Sequence, residues 1–100
     1  MEAKKVELVN AKYMNEQNPE TFEIPSAEEL NNLKQGDSIM VCCQRERFWV
    51  EIMYETNNKI FVCRIDNDLI FTDEHGLDIN DLIYVTRENI YNIYKYETTN

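Results

Sequence analysis

Two copies of one pattern, Asp37-Ser38-Ile39-Met40-Val41 and Asp81-Leu82-Ile83-Tyr84-Val85, bracket a stretch of short runs in which apolar and polar residues alternate. Each copy reads Asp-x-Ile-x-Val and follows a turn-prone residue, Gly36 or Asn80. Alternation with a period of two sends successive side chains to opposite faces of a strand, and turn residues between such runs reverse the chain. The stretch from Gly36 to Val85 therefore predicts a small, strongly curved β domain.

The runs can be placed one by one. Ile39 to Cys43 reads as a strand, Gln44 to Arg47 as a polar turn, and Phe48 to Tyr54 as a second strand. In the second strand Phe48, Val50, Ile52 and Tyr54 share one face, and Trp49, Glu51 and Met53 the other. Thr56-Asn57-Asn58 is a turn with Asn able to take positive φ, and Lys59 to Ile65 should return as its hairpin partner. Asp66-Asn67-Asp68 breaks that strand, Leu69-Ile70-Phe71 is a short apolar run, and Thr72 to Asn80 is expected as a loop. Leu82 to Thr86 is another strand. Arg87 to Tyr96 fits one helical turn followed by a strand as well as it fits either alone.

Upstream, Ser26-Ala27-Glu28-Glu29 is a capping box: the Ser26 hydroxyl accepts from the third amide of the helix while Glu29 reaches back to the Ser26 amide. The box predicts a short helix over Ala27 to Lys34, with Leu30 and Leu33 on one face and Gly36 as its left-handed stop. Pro19 and Pro25 flank an extended segment whose Phe22 and Ile24 lie on one side and can dock on the domain. Residues 1–18, with Val6, Leu8, Val9, Tyr13 and Met14 among polar residues, fit a short strand or an amphipathic turn. The organisation expected is an N-terminal arm over 1–25, a domain over 26–96 and a frayed tail over 97–100. The fold class is mainly β: an SH3-like antiparallel barrel or strongly bent sheet of about five strands with one short N-terminal helix.

Composition narrows the function classes. One hundred residues suffice for a single modest core, and 43% hydrophobic against 29% charged residues is a globular balance. The formal net charge of −9 disfavours long-range attraction to nucleic-acid phosphate or an anionic membrane, which points to a protein partner with a basic or neutral surface. No apolar run approaches the ~20 residues that span a bilayer, and Met1 to Val9 lacks the apolar core of a secretory signal. Cys42, Cys43 and Cys63 are odd in number and lack C-x-x-C spacing, so reduced, buried thiols in a cytoplasmic protein are expected. A Cys43–Cys63 pair is the other option.

Few residues suggest chemistry. Asp66, Asp68, Asp73, Glu74, Asp78 and Asp81 occur within sixteen positions with no lysine or arginine among them. Hard cations take oxygen ligands, but Leu69-Ile70-Phe71 stands where a calcium loop needs ligands and glycine, so a solvated acidic face fits better than a metal site. Trp49, the sole tryptophan, shares a strand face with Arg47 and Glu51, the composition of a binding hot spot. Burial at the end of the domain is the plainer role for a lone tryptophan. His75, the sole histidine, is expected in a solvent-exposed loop, far from the cysteines. Two glycines exclude a phosphate-cradling loop. Tyr91, Tyr94 and Tyr96 suit core packing better than base stacking, because no cationic groove accompanies them.

The blocks Asn18-Pro19-Glu20-Thr21-Phe22-Glu23-Ile24-Pro25-Ser26, Gly36-Asp37, Glu46-Arg47-Phe48-Trp49-Val50-Glu51 and Asp66-Asn67-Asp68-Leu69 resemble a family of short bacterial, phage and large-virus proteins. Its pattern is G-D-x-V, E-R-F-W-V, D-N-D-L and G-D-x-I, and the likeness covers about Asn18 to Ile93. The chain departs from it at Asn80-Asp81, where the pattern has Gly-Asp. The resemblance implies a small β domain and assigns no activity. The function expected is a non-enzymatic protein-binding module without a cofactor. Its candidate contacts are Arg47, Trp49 and Glu51, or Asp66, Asp68, Asp73, Glu74 and Asp78. The alternatives are an acidic inhibitor that mimics a phosphate row in a basic site, in the host cytoplasm if viral, and an enzyme using the same carboxylates with or without a metal.

Overall fold

A computed structural model describes residues 3–94. The expected tail at 97–100, and Tyr96, lie outside the described residues. The chain is mainly β, a five-stranded antiparallel sheet accompanied by short helices. Its strands are β1 (Ser38–Cys43), β2 (Glu46–Glu55), β3 (Phe61–Ile65), β4 (Leu82–Val85) and β5 (Asn92–Ile93), in the order β4-β3-β2-β1-β5. The first four form a meander. A 3₁₀ turn over Arg87–Asn89 then carries the chain back so that β5 pairs with Ile39 and Met40 of β1. No hydrogen-bonded ladder joins β4 to β5, so the strands do not close into a barrel.

The twice-repeated Asp-x-Ile-x-Val pattern is one structural unit used twice. Gly36 and Asn80 both take positive φ, 93° and 72°, a region glycine and asparagine enter most readily. The Gly36 amide donates to Ile52 O and the Ile52 amide to Asp37 O; Asn80 and Ile65, with Asp81, repeat both bonds. The aspartates behave alike as well. Asp37 Oδ2 accepts the Lys34 amide at 3.0 Å and Asp81 Oδ2 accepts the Asp78 amide at 3.0 Å, each three residues back. Each aspartate thus ties off a turn whose next residues enter a strand. Gly36 therefore belongs to this turn and does not stop the preceding helix.

Strand parity assigns the core. Ile39, Val41 and Cys43 of β1, Phe48, Val50 and Ile52 of β2, Phe61, Cys63 and Ile65 of β3, and Ile83 and Val85 of β4 face one cluster, which Leu33, Leu77 and Ile90 complete. Each large member, wholly buried, contributes about 1.5–3 kcal/mol of transfer free energy. The expected alternation fails at one residue. The β2–β3 register passes from Ile52↔Cys63 to Tyr54↔Val62, so Met53 is an extra residue in a bulge. The bulge reverses the phase, and Tyr54, expected beside Ile52 in the core, is 57% exposed.

The helices differ from expectation in extent. The Ser26–Glu29 capping box is present in both directions, but α2 ends at Asn31 (Ala27–Asn31). Thr72–His75, expected as loop, is a helical turn, α3, closed by Gly76 in the left-handed region. In the hairpin after β2 the positive φ falls on Lys59 rather than on an asparagine.

The N-terminal arm holds two elements. Residues 4–9 form a strap, and α1 (Ala11–Gln17) follows, its amides capped by Asn10. Phe22 and Ile24 pack with Ala11, Cys42 and Tyr91 on the outer face of the sheet, as their shared side predicted. The strap touches both ends of the meander. The Lys4 amide donates to Leu82 O at 2.8 Å and the Tyr84 amide to Lys4 O at 3.2 Å, on β4; five residues later the Val9 amide donates to Cys42 O at 2.8 Å, on β1. Val6 and Leu8 rest on the core between these points.

Candidate functional site

The outer face of β2 is the strongest candidate, because several features of a binding surface meet there. Met40 pairs with Trp49 and Cys42 with Arg47 across the β1–β2 register, and all four side chains point away from the core. The Arg47 guanidinium lies over two rings, 4.5 Å from the Tyr91 centroid and 5.4 Å from that of Phe22. Among the described residues it has no carboxylate within ion-pair distance. It stands in a groove of about 410 Å³ whose rim carries Glu20 and Glu23. Stacking on aromatic faces restrains a flexible cation while leaving its N–H groups open, a pre-organisation that favours planar acceptors such as carboxylates.

Trp49 is half-buried, between the two expectations for it. Its ring meets Tyr94 edge to face at 5.8 Å between centroids, and Tyr94 is 51% exposed rather than in the core. The two rings, with Ser38, Asp66 and Asn67, line a second hollow of about 310 Å³. Asn67 holds it in shape: its Oδ1 accepts the Trp49 amide, and the Asp66 amide donates to Trp49 O. Tyr91 is buried, and burial raises its hydroxyl above the usual tyrosine pKa. Burial likewise pushes up the neighbouring Cys42 thiol, against the opposing pull of Arg47.

The remaining expected contacts are dispersed or engaged. Glu51 shares the Trp49 face but binds Arg64 at 2.8 Å, and Arg64 also lies 3.6 Å from Asp66. Glu74 is gripped by Arg45 through two bonds of 3.1 and 3.0 Å, while the same guanidinium lies 3.9 Å from the Phe71 centroid. Lys4 reaches Asp81 at 2.9 Å. Asp68, Asp73 and Asp78 are exposed. The acidic segment is therefore not a uniform carboxylate row, because folding inserts Arg45, Arg64 and Lys4 among its charges. Among the described residues, no three His, Cys, Asp or Glu side chains converge to hold a metal ion.

The sequence misplaced His75 and overlooked Glu46. The imidazole is 1% exposed, and its Nε2 lies 2.9 Å from Glu46 Oε1. The Leu77 amide donates to Nδ1 at 3.0 Å, which makes Nδ1 the acceptor and puts the proton on Nε2, facing Glu46. Glu46 also accepts the Ile70 amide at 2.7 Å and the Phe71 amide at 2.9 Å. Burial pushes this carboxyl up, but the Ile70 amide, the His75 ring and the Phe71 amide outweigh it and hold the pKa below the usual glutamate value. The visible signal was parity: Glu46 is in phase with Phe48 and Val50, so it had to point inward.

His75 and Cys43 share the wall of one groove, contrary to the separation expected of them. They are not a nucleophilic pair. Nδ1 is taken by an amide and Nε2 by Glu46, and burial, Cys42 and Glu46 all raise the Cys43 thiol pKa. All three cysteines are buried and free, so no Cys43–Cys63 bond exists, and burial pushes Cys63 up to about 12.

No family model, curated protein or solved structure matches the chain. No helix among the described residues is long and apolar enough to cross a membrane.

Proposed function

We propose that this chain is a non-enzymatic protein-binding module that receives a protein partner on the outer face of β2. The observation that carries the reading is Arg47, a guanidinium restrained over two rings, without a carboxylate partner among the described residues, beside a half-buried tryptophan. Arginine and tryptophan in adjoining hollows are the residue types that dominate binding energy at interfaces. In this reading the partner brings a carboxylate or carbonyl to Arg47 and apolar surface to Trp49 and Tyr94. Basic side chains of the partner meet Glu20, Glu23 and the exposed Asp68, Asp73 and Asp78, in keeping with the net charge of −9. The free, buried thiols support a reducing compartment such as the cytoplasm.

The fold belongs in the same proposal as a strongly bent, SH3-like sheet. Support comes from the six-residue link from β4 to β5 and from the strap, which bonds to β4 and β1 within five residues, ~17 Å at full extension. Opposite margins of a flat sheet lie farther from such a short bridge than those of a curled one. The family resemblance is retained too, since Asn80 sits at positive φ where the pattern has glycine.

Arg47→Ala and Trp49→Ala test the function in affinity capture from extracts of the source cells, read by mass spectrometry. Both variants should lose the same captured protein while their melting temperatures change little. Undiminished capture by both would overturn the proposal.

A further inference from the structure

The geometry points to a strand-acceptor seam between β4 and β1, occupied in this chain by its own residues 4–9 and open to an extended partner segment of the pattern Lys-x-apolar-x-apolar. This goes beyond the β2 face, which lies on the other side of the sheet's core-facing row.

Both margins of the seam offer backbone groups. On β4 these are the Leu82 carbonyl and the Tyr84 amide; on β1 they are the Cys42 carbonyl and the Cys43 position bridged by Leu8. Unpaired strand margins of this kind recruit extended segments, and the bonds to main chain supply affinity while alternate side chains supply specificity. The resident strap displays that code. Lys4 Nζ reaches Asp81 at 2.9 Å, Val6 and Leu8 pack on the core, and the intervening Lys5 and Glu7 are exposed. Asp81 is depressed mainly by the Lys4 hydrogen bond, with burial opposing and the Asp78 amide assisting, so it presents a carboxylate to an incoming lysine.

The strap is held lightly. Across its six residues it makes two backbone bonds at Lys4 and one at Val9, while the middle is held by the Leu8–Cys43 bridge, by the packing of Val6 and Leu8, and by the Cys43 thiol, which donates to Glu7 O at 3.7 Å. Open grooves of about 500 and 320 Å³ lie along it, the first toward Cys43 and His75 and the second toward Tyr84 and Asn89. β1, by contrast, pairs with β2 at six consecutive positions. Segments with few main-chain bonds and exposed flanks open at far lower free energy than the central ladder. A tethered segment competes at an effective concentration in the millimolar range, so a foreign strand binds well only when the strap is weakened or outmatched.

The test uses the full chain and a synthetic peptide of its own residues 3–10. In the double variant Val6→Asp, Leu8→Asp the strap should leave the seam, and the peptide should bind about tenfold or more tightly than it binds the unmodified chain. Adding Asp81→Asn should weaken that binding, and a peptide with aspartate at both apolar positions should not bind. Equal binding by variant and unmodified chain, or binding indifferent to the peptide's apolar residues, overturns the proposal. A dimer of the unmodified protein that is lost in the double variant assigns the seam to a second copy of this chain and overturns a foreign partner. Hydrogen exchange on the unmodified protein decides independently of whether the variant folds: the Tyr84 and Val9 amides should exchange about a hundredfold faster than those of β2 and β3. Uniform protection overturns the proposal.

Discussion

Glu46 and Arg47 are neighbours on β2 with opposite charges and opposite fates. Glu46 points inward and meets three donors, the Ile70 and Phe71 amides and the His75 ring, which pin the long β3–β4 connection to the sheet. Arg47 points outward and lies over Tyr91 and Phe22, with no carboxylate at ion-pair distance among the described residues. A single step along a strand thus separates a charge used for construction from a charge that we propose serves recognition. Burial alone forces the difference, since a carboxylate without donors would be too costly inside, whereas a guanidinium in water needs none.

The contrast is most open to attack at Glu46. Glu46→Ala strands two amides and the imidazole, and should lower stability by about 3 kcal/mol or more, a fall in melting temperature of more than about 10 °C for a domain of this size. A loss below about 1 kcal/mol in thermal or denaturant unfolding would show that the connection is held without the carboxylate.

Acid should separate the two residues next. The Glu46 carboxyl is held below its ordinary value of 4.5, so its contribution is complete above that value and disappears as pH falls through the lower folded value. Stability should therefore decline below about pH 4.5, and the decline should be shallower in Glu46→Gln, whose side chain does not titrate. Parallel profiles for the two proteins would mean that other carboxylates govern acid unfolding.

Arg47→Ala should have the smallest effect on folding. An exposed cation over aromatic rings is worth about 0.5–1 kcal/mol, so the variant should melt within a few degrees of the parent. A loss as large as that of Glu46→Ala would make Arg47 structural and erase the distinction between the two faces.

The sequence by itself determined what local patterning can encode. Period-two alternation gave the core rows of β1 to β4, Ser26 and Glu29 gave the start of α2, and the repeated Asp-x-Ile-x-Val marked two turns with the same hydrogen bonds. These are short-range effects, set by backbone geometry and the nearest few residues. Arg47 and Trp49 were legible as sharing one strand face for the same reason, whereas the burial expected as the plainer role of Trp49 is only half realised. What only the tertiary structure decided depends on residues far apart in the chain. The bulge at Met53 turned Tyr54 outward, and folding brought Arg45, Arg64 and Lys4 into the acidic segment. His75 became buried because Glu46, 29 positions away, supplies the partner its ring requires. No window of neighbouring residues contains both members of such a pair, and the free energy of burying either is set by the other.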